Sequence, residues 1–341
     1  MTPFESVQCG AERMWLVRTC LFNLLVFGFL GQAKSQFIEN EEPSPLITPL
    51  EEAWLEPPGI ESLPPNFSAP MESWDPEAPV PRFRKSWFQG LQLSTGWLDD
   101  GNTDGLGITH FEAQLRSGIP LGSLDNILAI SPSIRIDSLH GPTSIDVPET
   151  LYETGVNFFW MRQLSPRWAA RVMVAPMVRS DFTTSENAVR VFGLGLLAWQ
   201  WIPEELELSF GVVSLGRDDI PVLPAIGLVW TPTPQWRIDA VFPRPRVAYR
   251  WSKDAARSET WVYLSSALGG NTWAVSRSSG EVDELSLKDL RLLVGVEQIR
   301  AGGRGHFIEA GWVFARELEY AREDVSIEFE DCATIRAGIT F

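Results

Sequence analysis

From Ser86 to the C-terminus, apolar and polar side chains alternate with a period of two, and no long helical period interrupts them. At the C-terminus Ala333, Ile335, Ala337, Ile339 and Phe341 fall on one face, with Cys332, Thr334, Arg336, Gly338 and Thr340 on the other. Ile308, Ala310, Trp312 and Phe314 likewise oppose Phe307, Glu309, Gly311 and Val313. The same split sets Leu290, Leu292, Val294 and Val296 against Arg291, Leu293, Gly295 and Glu297. Leu206, Leu208, Phe210 and Val212 oppose Glu205, Glu207, Ser209 and Gly211, and Trp168, Ala170, Val172 and Val174 oppose Arg167, Ala169, Arg171 and Met173. The pattern predicts strands near 88–98, 106–118, 127–139, 150–163, 166–180, 188–202, 205–215, 221–231, 235–251, 259–268, 271–277, 289–299, 305–318 and 331–341.

The charged positions decide between architectures. Arg171, Glu207, Arg291, Glu297, Glu309 and Arg336 sit in mid-strand, opposite wholly apolar faces. A membrane barrel places such charges in a wet interior and the apolar face against lipid. The segments have about the 9–11 residues that cross a bilayer at a tilt. Connections alternate between short ones, at 165–166, 203–204, 231–234 and 301–304, and longer ones, at 99–105, 141–149, 278–288 and 319–330. Trp87, Trp97, Trp168, Trp201, Trp230, Trp236, Trp251 and Trp261 lie near strand ends, where an interfacial girdle would be. The expected fold is therefore all-β: an antiparallel transmembrane barrel of about fourteen strands, with a range of twelve to sixteen. The range reflects Phe242-Pro243-Arg244-Pro245-Arg246, where proline removes ladder donors and makes either a bulge or a turn. A soluble β-sandwich is the competing class, and it would leave the apolar faces unexplained.

Two other segments precede the barrel. Residues 13–35 read as a secretory leader, with Arg13 and Arg18 before the apolar run CLFNLLVFGFL and small residues after it. Cleavage is expected after Ala33 or Ser35, so the first domain is 1–35. Residues 36–85 carry eleven prolines, and 36–81 hold ten acidic side chains with no Lys or Arg. That composition predicts a disordered periplasmic linker, with a docking peptide or an acidic plug as alternatives. Residues 86–341 form the barrel domain.

The whole chain has 341 residues, net charge −16 and a mean hydropathy of −0.04. The near-zero hydropathy excludes a multi-helix membrane protein, and the acidity argues against a nucleic-acid partner. Only Cys332 remains after leader removal, so no internal disulfide or cysteine metal cluster is expected. The three histidines match no hydrolase, nucleotide or zinc-protease motif. Residues 100–105 resemble half of an EF-hand loop, but Phe111 stands where the bidentate Glu belongs. No catalytic residue, cofactor or metal is therefore expected. The candidate lumen-lining set is His110, Glu112, Arg116, Arg171, Glu207, Arg244, Arg246, Arg250, Arg291, Glu297, Glu309 and Arg336. The arginines at 244, 246 and 250 either form a basic ladder favouring anions or pair with acids such as Asp239 and Glu207.

The segment Ile335-Arg336-Ala337-Gly338-Ile339-Thr340-Phe341 resembles the terminal signal of bacterial outer-membrane proteins. That resemblance implies recognition by the barrel-assembly machinery, with Phe341 as the assembly signal. Thr95-Gly96-Trp97, the 242–246 run with Tyr249-Arg250, and Asp289-Leu290-Arg291 before Gly295-Val296-Glu297 carry a second resemblance. They are similar to a family of bacterial outer-membrane barrels known as a domain of unknown function, which implies no activity or catalytic residue. Outer-membrane lipid is the expected surroundings. The expected function is a passive pore for small solutes; a closed structural or interaction barrel is the alternative, and an outer-membrane enzyme the remote one. The sequence is silent on oligomeric state.

Overall fold

The computed structural model describes residues 75–102, 104–142, 144–214, 222–241, 244–322 and 326–341. The expected leader and most of the linker lie outside these residues. Among the described residues there are strands and no helices. In chain order they are β1 (Phe88–Leu98), β2 (Gly107–Ser117), β3 (Ile119–Ser123), β4 (Asn126–His140), β5 (Thr150–Ser165) and β6 (Trp168–Ser180). Next come β7 (Val189–Ile202), β8 (Leu206–Ser214), β9 (Leu223–Thr233), β10 (Trp236–Val241), β11 (Arg246–Asp254) and β12 (Ser258–Gly269). The last are β13 (Thr272–Ser276), β14 (Val282–Arg300), β15 (Arg304–Tyr320), β16 (Ser326–Phe329) and β17 (Cys332–Thr340).

Neighbours in sequence pair antiparallel all the way round, and β1 closes the ring on β17, from Gln92↔Thr340 to Leu98↔Thr334. Three staves are interrupted. β2 and β3 both pair with β4, β12 and β13 both pair with β14, and β16 and β17 both pair with β15. Counting each interrupted pair as one stave gives a closed barrel of fourteen.

The expected number is met through two differences that offset. The expected strand 235–251 is two staves, β10 and β11, paired from Trp236↔Tyr249 to Asp239↔Arg246. Because β10 and β11 pair antiparallel as neighbours, the chain reverses between Val241 and Arg246 instead of bulging within one strand. The expected strands 259–268 and 271–277 are one stave, because β12 and β13 face the same partner.

The connections separate by end. On the side of the chain termini they have two or three residues, and on the far side four to nine. Of two expected long loops, 278–288 is mostly strand and 319–330 half strand, since β14 starts at Val282, β15 runs to Tyr320 and β16 spans Ser326–Phe329. The far ends of β13, β14, β15 and β16 thus form a small sheet of their own.

The two faces of the wall differ as the alternation requires. Outward side chains such as Ile226, Val294, Val212 and Ile308 are at least half exposed. Inward neighbours such as Arg171, Val213, Glu309 and Val313 are buried. Trp168, Trp199 and Trp201 stack in sequence near the terminal-side turns, with centroids 5.7 and 5.8 Å apart. Trp251, Trp236 and Trp230 continue this exposed aromatic row. Trp261 does not belong to it. It points inward and is buried against Ala248 and Tyr263, because its parity in β12 matches Glu259 and Tyr263.

Candidate functional site

The interior has two zones. In the half nearer the termini, inward charges are paired. Arg171 binds Glu207 at 2.7 Å, and Arg237 binds Asp239 at 3.0 Å. Arg246 binds Glu297 at 2.7 Å and lies over the Tyr263 ring, 3.7 Å from its centroid. The Tyr263 hydroxyl donates to Glu309 at 2.8 Å. Arg336 sits between Glu309, at 3.6 Å, and Glu112, at 4.0 Å. Arg116 reaches the amide oxygens of Gln92 and Gln114. Arg244 lies in the β10–β11 turn, within electrostatic reach of Arg336. Of the two readings of the 244–250 arginines, pairing describes Arg246 and Arg250, although their partners are Glu297 and Glu77 rather than Asp239 and Glu207.

His110 and Arg291 belong to a second group, higher in the barrel. Arg291 binds Asp289 at 2.7 Å and Arg135 binds Asp137 at 2.6 Å. These four residues, His110, Trp273 and Thr334 line a cavity of about 20 Å³, room for about one water. The His110 ring lies over Gly96, its cross-strand partner, where a Cβ would collide with it. Asp137 faces His110 across β2 and β4, but its carboxylate is taken up by Arg135.

In the far half the lumen is crossed by the sheet of β13, β14, β15 and β16, here called the leaf. The leaf is folded inward from the β12–β17 wall. One of its faces carries Trp273, Val275, Leu285, Leu287, Leu318 and Tyr320, packed with Leu106, Leu139 and Leu151. At the base of the leaf, Leu268 of β12 and Leu290 of β14 pack against the inward side chains of β7–β10, among them Leu194, Leu196, Val213 and Val241. On the leaf's other face, Glu284 binds inward Arg190 of β7 at 2.5 Å. Both faces of the leaf therefore meet inner wall. Its free edge reaches the opposite side, where Ala274 of β13 pairs in parallel with Ser180 of β6.

The terminal side carries a strap. Residues 75–85, the described end of the expected linker, lie along the rim. Val80 is buried. Glu77 binds Arg250 at 2.5 Å, Arg82 binds buried Glu259, and the Gly302 amide donates to the Pro81 carbonyl at 2.7 Å. Gly302 and Gly303, both at positive φ, let the β14–β15 turn approach the strap closely.

Several of these groups escape a reading of the sequence. Arg135, Asp137, Tyr263 and Asp289 share the parity of the expected lining residues, which is a usable signal. The leaf gives a weaker one. Alternation continues through Asp283, Leu285 and Leu287, but its polar surroundings read as a loop.

No curated protein matches the chain in sequence. Among solved structures, a deltaS2 mutant of the TodX monoaromatic hydrocarbon channel aligns at 10% identity and TM-score 0.34, covering 77% of this chain and 92% of that one. Pseudomonas aeruginosa OccK5 (OpdH) aligns at 9% identity and TM-score 0.24, over 74% and 96%. A mutant of the Rh. blastica porin aligns at 8% identity and TM-score 0.26, over 74% and 98%. These likenesses are distant, and the fold rests on the pairing of the chain's own strands. Residues 142–336, more than half of the chain and including the whole leaf, match a family described as a domain of unknown function, DUF6268, and the chain belongs to that family.

Proposed function

We propose that the chain spans the bacterial outer membrane as a fourteen-stave barrel and offers small solutes a route through its interior, shut in this conformation by the leaf. The supporting observation is the opposed chemistry of the two faces: exposed Ile, Val, Leu and Trp outside, buried ion pairs inside. A closed wall with that polarity suits lipid outside and water within. The leader and the terminal Phe341 fit export and assembly on this reading, with outer-membrane lipid and the barrel-assembly machinery as partners. No catalytic role is assigned to any residue.

A second reading is favoured by one observation, the apolar packing of one face of the leaf, and of its base, against the inner wall. It makes the protein a closed structural barrel. Fractionation of expressing cells, then conductance of the refolded protein in a planar bilayer, separates the readings. Outer-membrane location with conductance supports the route, and location without conductance supports the structural barrel. Solubility without detergent would overturn both. A form lacking residues 36–74 but keeping the strap tests whether the acidic linker alters conductance.

A further inference from the structure

The leaf leaves the wall along a line of irregular positions in four adjacent staves. β12 and β13 are separated at Gly270, whose φ is +79° and where a Cβ would collide with the Leu287 carbonyl. β14 slips register against β15 between Lys288 and Leu290. β15 holds Ala315 at a φ of +47°, in the left-handed region that a side chain rarely occupies. β16 and β17 are separated at residues 330–331. The pairings put these points side by side: Gly269↔Asp289, Lys288↔Glu317, Leu290↔Phe314 and Arg316↔Phe329. Four strands creased at one level turn as one body.

The same stretch is released from its neighbour. β11 pairs with β12 only as far as Arg246↔Ser265, because the proline-bearing turn follows. Beyond it, among the described residues, the edge of β13 has its bridge partner across the lumen. Along the backbone that far contact is short. It includes the Ala274↔Ser180 bridge, the Asp181 amide on the Ala274 carbonyl at 3.2 Å, and the Ser276 amide on the Asp181 carboxylate at 2.9 Å. Side-chain clasps add Asn271 on Glu153 at 3.2 Å, Arg277 on Asp146 at 2.9 Å, Arg190 on Glu284 at 2.5 Å and the Tyr320 hydroxyl on the Asp146 carbonyl, beside the apolar packing already described. On the hinge side, by contrast, β14 keeps a long ladder with β15 on both sides of the crease.

We propose that the leaf is a hinged gate: it swings about the crease at 270, 289, 315 and 330, parting from β6 to open the far half of the lumen. This rests on the solute-route reading and adds its regulation. The apolar cluster around Trp273 and Leu285 keeps the gate shut most of the time, so openings are brief.

The test is a reversible clamp. Ala274→Cys with Ser180→Cys places two thiols at a bridged position, in a Cys332→Ala background that removes the buried native thiol. Far-ultraviolet circular dichroism verifies folding. The gate predicts conductance bursts in the reduced protein, none when oxidised, and recovery on reduction. Arg277→Gln, which removes the Asp146 clasp together with the guanidinium's stacking on Tyr320 and its contact with Asp283, should raise the open fraction severalfold. Equal conductance in both redox states would overturn the gate and leave the channel standing. Spin labels at exposed Ser279 and Ser185 cover a protein that never conducts. Two distances, the longer abolished by the clamp, would support the hinge and sink the solute route. One unchanging short distance would overturn both.

Discussion

At the scale of single residues, burial decides what a charge does. Arg171 is 1% exposed and Glu207 7%, so neither can turn to solvent when its partner is lost. Arg171→Met alone should destabilise the barrel by about 3–5 kcal/mol, because it takes the nearest cation from a buried carboxylate. The double change Arg171→Met with Glu207→Leu should recover most of that loss. Urea unfolding in detergent of the two variants, beside the parent, checks both statements. Equal losses would show that Glu207 is hydrated despite its position. Asp146, in the far-side connection 141–149, behaves differently. The Arg277 guanidinium and the Ser278 amide hold its carboxyl below the ordinary carboxylate range. A depressed value means the contact is complete above the ordinary range and is lost only as pH falls through the depressed value. Carbon NMR of the labelled carboxyl should therefore show Asp146 titrating below the ordinary carboxylate range, and the Arg277→Gln variant should move its midpoint upward. An unchanged midpoint would mean that Arg277 does not hold it.

At the scale of elements, strand faces were legible because each is a local property of a pleated chain with one apolar side. The parities of β6, β8, β14, β15 and β17 all follow the alternation. Connections were less legible. Gly269-Gly270 has the composition of a hairpin turn, yet the chain runs on along the same partner. Pro243 and Pro245 leave bulge and turn equally open until the pairing of β10 with β11 is known. The leaf was hidden for another reason. Its strands are polar in composition at their tips, and the contacts that order them come from β4, β5 and β7, far away in the chain. Its core can be tested separately from the wall. Trp273→Ala removes the largest fully buried side chain and should cost about 3–5 kcal/mol where it packs. Hydrogen exchange should then quicken at 282–288 while the β5–β8 amides stay protected. Uniform quickening would show that leaf and wall unfold together.

At the scale of the whole molecule, the ring joins strands from the two extremes of the described chain, and the leaf depends on that joining. The leaf packs on Leu106, just before β2, and on Leu139 and Leu151 of β4 and β5, and its Glu284 binds Arg190 of β7. Arg316, at the crease, donates to the carbonyls of Asp100 and Leu106, across the β1–β17 seam. Both walls that receive the leaf are in place only once β1 has met β17. Removing residues 332–341 should leave the 277–281 tip open to proteases, whereas the full chain resists. Resistance in the shortened chain would mean that the leaf settles before closure. The packed leaf is then an internal certificate of completed assembly. A barrel left unzipped displays Trp273, Leu285 and Leu318, and a finished one hides them.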